Sequence, residues 1–249
     1  MAKAFVAGAT GLTGRWVVKY LRDANIDVVA HVRPDSKRLD EWTRHFEALG
    51  ARVSAAPWAV ESISAAYRSE EPDMVFGLLG TTKKRTRAGD GDYEAVDYRL
   101  TVMLIEAAEM AIPSARFIYL SAVGVTPTTR NGYLLARAKV EARLAVSSLS
   151  HCIARPSFIL GQRDDKRPLE SLGAPMLDGL LATVGFLGGR RWSSQYRSML
   201  GTELAMALSE AALAGLDGIL DVPRIAIATA RYQERIADGH NESESHETI

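Results

Sequence analysis

Apolar positions along the chain alternate between two periods. Short unbroken runs at Ala4–Ala7, Val28–Val32, Met74–Leu79, Phe117–Leu120 and Cys152–Ala154 read as buried strands. Between them the apolar residues recur at helical spacing. Leu12, Trp16, Val17, Tyr20 and Leu21 fall near one face, and Leu39–Leu49 repeats the pattern. Tyr93–Met110 predicts a long helix stopped near Pro113, and Leu134–Val146 an Ala-rich one. Strands alternating with helices predict parallel strands joined by crossovers, with a sheet covered on both faces. The expected fold class is α/β, a doubly wound parallel sheet.

The join between the first strand and the first helix is where chemistry enters. "VAGATGLTGR", residues 6–15, carries Gly8, Gly11 and Gly14. A helix start offers unpaired N–H groups and a positive dipole end, and glycines let the backbone approach a pyrophosphate closely. The spacing is Gly-x-x-Gly-x-x-Gly rather than Gly-x-Gly-x-x-Gly, but the strand before it and the helix after it supply the context a dinucleotide requires. At the end of the second strand an acidic residue would receive the adenosine ribose. This chain has "VAHVRPDSKR" there, with Arg33 near that place. A guanidinium suits a 2′-phosphate, so NADP(H) is favoured, while Asp35 keeps NAD(H) possible.

Composition excludes other classes. Among 249 residues, Lys plus Arg and Asp plus Glu number 30 each, so no net charge favours nucleic acid or an anionic surface. No apolar run approaches the ~20 residues of a membrane span. The start of the chain lacks a secretory signal layout, and Cys152, the only cysteine, has no disulfide partner. Of His31, His45, His151, His240 and His246, none has zinc-ligand spacing with Cys152 or another histidine inside the part expected to be ordered. The expectation is a cytoplasmic protein with no metal, no nucleic-acid partner and no membrane partner.

After Pro156 the alternation stops. "SFILGQRDDKRP" reads as a polar loop, and "GTELAMALSEAALAGLDG" as a helix with Thr202 as N-cap and Glu203 in its first turn. Residues 1–156 are expected to form a dinucleotide-binding core, residues 157–237 a substrate cap packed on it as one structural domain, and residues 238–249 a disordered polar tail. The basic stretch "TTKKRTR" at 81–87 reads either as a cover for the cofactor or as a solvated loop, and Trp192, Tyr196 and Arg197 are candidates to touch substrate.

"GATGLTGR", "GLLGTTKKR", "YEAVDY", "FIYLSAVGV", "KVEARL" and "RPSFILGQR" occur in an order that resembles the atypical short-chain dehydrogenase/reductases, most closely their NmrA-like and TIP30-like NAD(P)H-binding branch. The resemblance spans roughly residues 3 to 165. It implies a Rossmann-like fold with Gly8, Thr10, Gly11, Leu12, Thr13 and Gly14 as the pyrophosphate loop. Leu79, Gly80 and Thr81 would pass the adenosine and its ribose, and Pro156 to Phe158 would line the nicotinamide side. Ser121 matches the family's catalytic serine and Lys139 its lysine. That family includes reductases, epimerases and regulators without turnover.

The implied reaction is hydride transfer coupled to proton transfer by a tyrosine four residues before the lysine. In "NGYLLARAKVEARL" that place holds Leu135. Tyr133 stands six residues before Lys139, which on a helix leaves the two roughly 120° apart. A second register pairs Tyr133 with Arg137, and the downstream "KVEARL" favours the Lys139 register. The expected function is NADP(H) binding with oxidoreductase chemistry on a small carbonyl-type substrate, with Ser121, Lys139 and Tyr133 as catalytic candidates. The alternative is a non-catalytic NAD(P)H sensor that binds a protein partner.

Overall fold

The computed structural model describes residues 2–80, 92–157, 159–160 and 199–246. Its elements run β1 (Lys3–Ala7), α1 (Gly14–Asp23), β2 (Asp27–His31), α2 (Leu39–Ala48), β3 (Arg52–Ser54), α3 (Val60–Glu70) and β4 (Met74–Gly77). A π-helical segment (Tyr93–Arg99) leads into α4 (Leu100–Ala111), followed by β5 (Arg116–Leu120), α5 (Gly132–Ala145) and β6 (His151–Ala154). Then come β7 (Ile159–Leu160), β8 (Met199–Leu200), α6 (Gly201–Leu213), β9 (Gly218–Leu220) and α7 (Val222–His246). Seven strands make one sheet in the order β3-β2-β1-β4-β5-β6-β9, and every pairing in it is parallel.

Successive strand residues point to opposite faces, and both faces are apolar. Ala4 and Val6 of β1 join one core with Val17 and Leu21 of α1, Phe46 of α2 and Leu204 and Leu208 of α6. Phe5 and Ala7 join the other with Ile63 of α3, Leu104 and Ile105 of α4 and Val140 of α5. The chain winds from β1 outward through β2 to β3, then crosses back to lay β4 on the other side of β1. That reversal opens a crevice above the carboxyl ends of β1 and β4, the place where open α/β sheets hold ligands.

Three expectations for the last third are corrected. Residues after 156 do not form only a cap. β9 pairs with β6 as the seventh strand, and α6 packs into the core. The segment from 238 is not simply disordered, because α7 continues to His246. Its earlier turns are anchored, with Tyr232 Oη donating to Tyr20 O at 2.6 Å and Arg235 paired to Glu210 at 2.8 Å, and a helix once nucleated extends cheaply into polar sequence. Thr202 does not cap α6. Leu200 holds the cap position, and the Glu203 carboxylate accepts from its N–H at 2.8 Å.

Candidate functional site

The loop after β1 is built so that its backbone lies close to the end of β4. Gly8 has φ +86, and a Cβ there would come within 2.6 Å of Leu78 O. A Cβ on Gly14 would meet Gly8 O at 2.1 Å, so the first turn of α1 rests directly on the loop's main chain. Gly11 N donates to Gly8 O at 2.9 Å and holds the turn. The Thr13 side chain makes no capping bond, and the first turn of α1 has no acidic residue. The positive end of that helix is left uncountered by any carboxylate in its own first turn, a state suited to an anion.

Above the strand ends lies a cleft of about 550 Å³. Gly11, Leu12, Thr13 and Gly14 supply the β1 side, Leu78, Leu79 and Gly80 follow β4, and Leu120 and Ser121 follow β5. Tyr93, Tyr133, Arg137 and Ile159 complete the lining. A glycine loop packed too closely on the main chain for a Cβ, an uncountered helix start and a cleft at the sheet's switch point fit the diphosphate and two nucleoside halves of a dinucleotide.

The wall beside β5 comes from α5. The Asn131 side chain accepts from Tyr133 N at 3.0 Å and Leu134 N at 3.2 Å, so the helix starts at Gly132 and Tyr133 lies in its first turn. Tyr133, Arg137 and Glu141 then recur one turn apart along one face. Arg137 is buried and reaches across the ends of two strands. Its Nη1 donates to Leu120 O and to Tyr119 Oη at 3.3 Å, and its Nη2 donates to Leu79 O at 3.0 Å and Asp97 Oδ1 at 2.7 Å. Burial opposes its charge, but Tyr119, Tyr133 and Asp97 outweigh burial and set its pKa above the ordinary arginine value. Burial pushes the Tyr119 phenol up to about 12, so it stays protonated beside the guanidinium. The Arg137 guanidinium carbon lies 5.1 Å from the centre of the Tyr133 ring, and the Tyr93 ring meets Tyr133 edge-on at 5.5 Å.

Residues 8–179 match the family model described as NAD(P)H-binding. The chain belongs to this NAD(P)H-binding family. It fits the atypical short-chain dehydrogenase/reductases, and the match makes it a nucleotide-binding protein. Protein FMP52, mitochondrial, from Coccidioides immitis is 27% identical over 229 residues, covering 88% of each chain. Among solved structures, the UDP-glucose 4-epimerase of Thermus thermophilus, complexed with NAD, superposes with a TM-score of 0.62 at 17% identity over 92% of this chain and 82% of that one. ChuY, an anaerobilin reductase from Escherichia coli O157:H7, gives 0.59 at 16% identity over 89% and 95%. At these identities the structural likeness speaks for the fold. The cytoplasmic location expected from the sequence is corrected, because the curated relatives are named mitochondrial.

Within this NAD(P)H-binding frame the expected site residues separate. Gly11, Leu12, Thr13, Gly14, Leu79, Gly80, Ser121 and Tyr133 line the cleft, Gly8 shapes the loop behind it, and Thr10 is exposed on the turn. Arg33 is exposed just beyond β2, 3.7 Å from Asp35. Pro156 is buried outside the cleft lining, its carbonyl accepting from Val123 N. Thr81 and Phe158 lie outside the described residues, as do 82–87, Trp192, Tyr196 and Arg197. The Lys139 register is corrected. Lys139 is exposed, pairs with Glu94 at 2.9 Å and sits over the Tyr98 ring, away from the cleft. Arg137 occupies the cleft wall because it is the cation one turn after Tyr133. The sequence reading missed Tyr93, Asp97 and Glu141, although the spacing of four from Tyr133 to Arg137 and again to Glu141 carried a signal for the last.

Among the described residues, no group of three His, Cys, Asp or Glu side chains could hold a metal ion, and no helix is long and apolar enough to cross a membrane.

Proposed function

We propose that this chain transfers a hydride between NADP(H) and a small carbonyl-type substrate. The observation that carries the reading is Tyr133 on the cleft wall with the Arg137 guanidinium against its ring, one helical turn on. A nicotinamide dinucleotide bound here supplies or accepts the hydride. The chain's own residues do the rest. The backbone amides at the start of α1 bind the diphosphate. Tyr133 Oη gives a proton to the substrate oxygen on reduction and takes one on oxidation. Arg137 keeps a fixed positive charge beside that phenol, since a guanidinium does not titrate in a protein. Arg33 is exposed beyond β2 beside Asp35, and a guanidinium there suits a 2′-phosphate, which supports NADP(H) over NAD(H).

One observation favours a second reading, an NAD(P)H sensor acting through a protein partner. All four terminal protons of Arg137 are engaged by the protein, so no lysine-like head remains free to hold the nicotinamide ribose. The test uses NADPH and NADH with a panel of small aldehydes and ketones, following loss of the reduced-nicotinamide absorbance. Turnover with NADPH supports the enzyme, and tight binding with no turnover on any member supports the sensor. Arg33→Ala is expected to weaken NADPH binding about tenfold, the worth of charged hydrogen bonds to a phosphate, and to leave NADH unchanged. Equal loss for both nucleotides would remove the NADP(H) preference.

A further inference from the structure

Behind the cleft a carboxylate holds the serine of its floor. Ser121, at the end of β5 and 2% exposed, donates its hydroxyl proton to Glu141 Oε1 at 2.5 Å. Glu141 lies one turn beyond Arg137 on α5. Arg155, just past β6, grips the same carboxylate, with Nε on Oε1 at 3.0 Å and Nη2 on Oε2. A carboxylate held in a guanidinium fork is ionised and can only accept. The one proton between Ser121 and Glu141 is therefore the serine's. A hydroxyl has one proton and two lone pairs, so Ser121 is left with lone pairs for the cleft. The terminal nitrogens of Arg137 already donate to Leu79 O, Leu120 O, Tyr119 and Asp97, so the guanidinium beside Ser121 is committed to the protein.

The place of Ser121 decides what reaches it. With a diphosphate at the start of α1, the adenosine half extends toward β2 and Arg33, and the nicotinamide half toward β4 and β5. A carbonyl oxygen brings no proton and would face lone pairs. A ribose hydroxyl or a carboxamide N–H brings the proton that the serine lacks.

We propose that Glu141 is a positioning residue that makes Ser121 a hydrogen-bond acceptor, and that Ser121 receives a hydroxyl or amide N–H of the nicotinamide half of the dinucleotide rather than a substrate carbonyl oxygen. This rests on the dinucleotide reading of the cleft. It departs from the role that the family resemblance assigns to a serine at this place.

The test is a calorimetric titration of the full chain with NADP+ and with 2′,5′-ADP, which keeps the adenosine half and lacks the nicotinamide half, paired with proton NMR. Ser121→Ala is expected to weaken NADP+ about threefold to tenfold, the net worth of one hydrogen bond, and to leave 2′,5′-ADP unchanged. The wild type is expected to show a protected serine hydroxyl resonance that disappears in Ser121→Ala and in Glu141→Met and persists when NADP+ saturates the site. Equal weakening of both ligands, no such resonance, or its loss on saturation would each overturn the proposal. Should Ser121→Ala fail to fold, serine-selective labelling of the wild type, with and without NADP+, identifies the same resonance and decides by its persistence or loss. If the wild type binds neither ligand, the dinucleotide reading fails and the proposal fails with it; binding of both without the Ser121 difference fails the proposal alone.

Discussion

Tyr133→Phe is expected to lower turnover by roughly a hundredfold to ten-thousandfold, the usual worth of a positioned acid–base group, and to leave nucleotide affinity within about twofold. The expectation follows from asking which described group on the cleft wall has a proton to move. The hydroxyl proton of Ser121 is bound to Glu141, and the guanidinium of Arg137 does not titrate. Two other hydroxyls line the cleft, those of Thr13 and Tyr93. Thr13 lies at the start of α1, on the diphosphate side. Tyr93 stands edge-on to Tyr133, where its ring supports that of its neighbour. Tyr93→Phe is the matched control and is expected to cost less than about tenfold. Steady-state rates with NADPH and a carbonyl from the reactive panel, beside calorimetric titration of each variant, separate proton transfer from binding. Turnover unchanged by Tyr133→Phe, or equal losses in the two variants, would take the proton-transfer role from Tyr133.

Arg137→Met should destabilise the fold by roughly 3–5 kcal/mol, read as the urea midpoint times the slope and as a melting temperature lowered by roughly 10 °C. Asp97 is fully buried, and its side chain pairs with the guanidinium at 2.7 Å. Removing the cation leaves that charge in the interior and deprives the carbonyls of Leu79 and Leu120 of their donor from Arg137. Much of the cost is a buried carboxylate that has lost its guanidinium, so the double variant Asp97→Leu with Arg137→Met is expected to recover at least half of it. Arg137→Lys is expected to fall between wild type and methionine, because one ammonium cannot reach four acceptors spread over two strand ends, a π-helical segment and a tyrosine. A loss below about 1 kcal/mol for Arg137→Met would mean that the pair is not the tie between α5 and the sheet that the geometry describes.

The parts of this fold that were legible in the sequence are those where burial on both faces leaves a continuous apolar run. β4 is buried at every residue and stood out for that reason, as did the Gly-rich loop, whose spacing answers to backbone contacts at Gly8 and Gly14. β3 and β9 have three residues each, too few for any period, and both lie at sheet edges. α3 mixes Ser and Ala with Ile63 and Tyr67, so its apolar face is narrow. The error over Lys139 has a different origin. Lys139 answers to residue type, whereas the helix selects by angle, and of the two cations only Arg137 shares the face of Tyr133. Asp97 was hidden for a related reason. It lies in a π-helical segment, where the wider turn shifts the inward face away from the 3.6-residue period used to read the helix around it.

The measurement that most directly tests the account is a crystal structure of the chain grown with NADP+. The diphosphate is predicted to lie on the amides at Gly11 to Gly14, the 2′-phosphate to meet Arg33, and the nicotinamide ring to stand in the cleft between Ser121 and Tyr133. A nucleotide seated elsewhere, or one whose nicotinamide half turns away from the ends of β4 and β5, would contradict it.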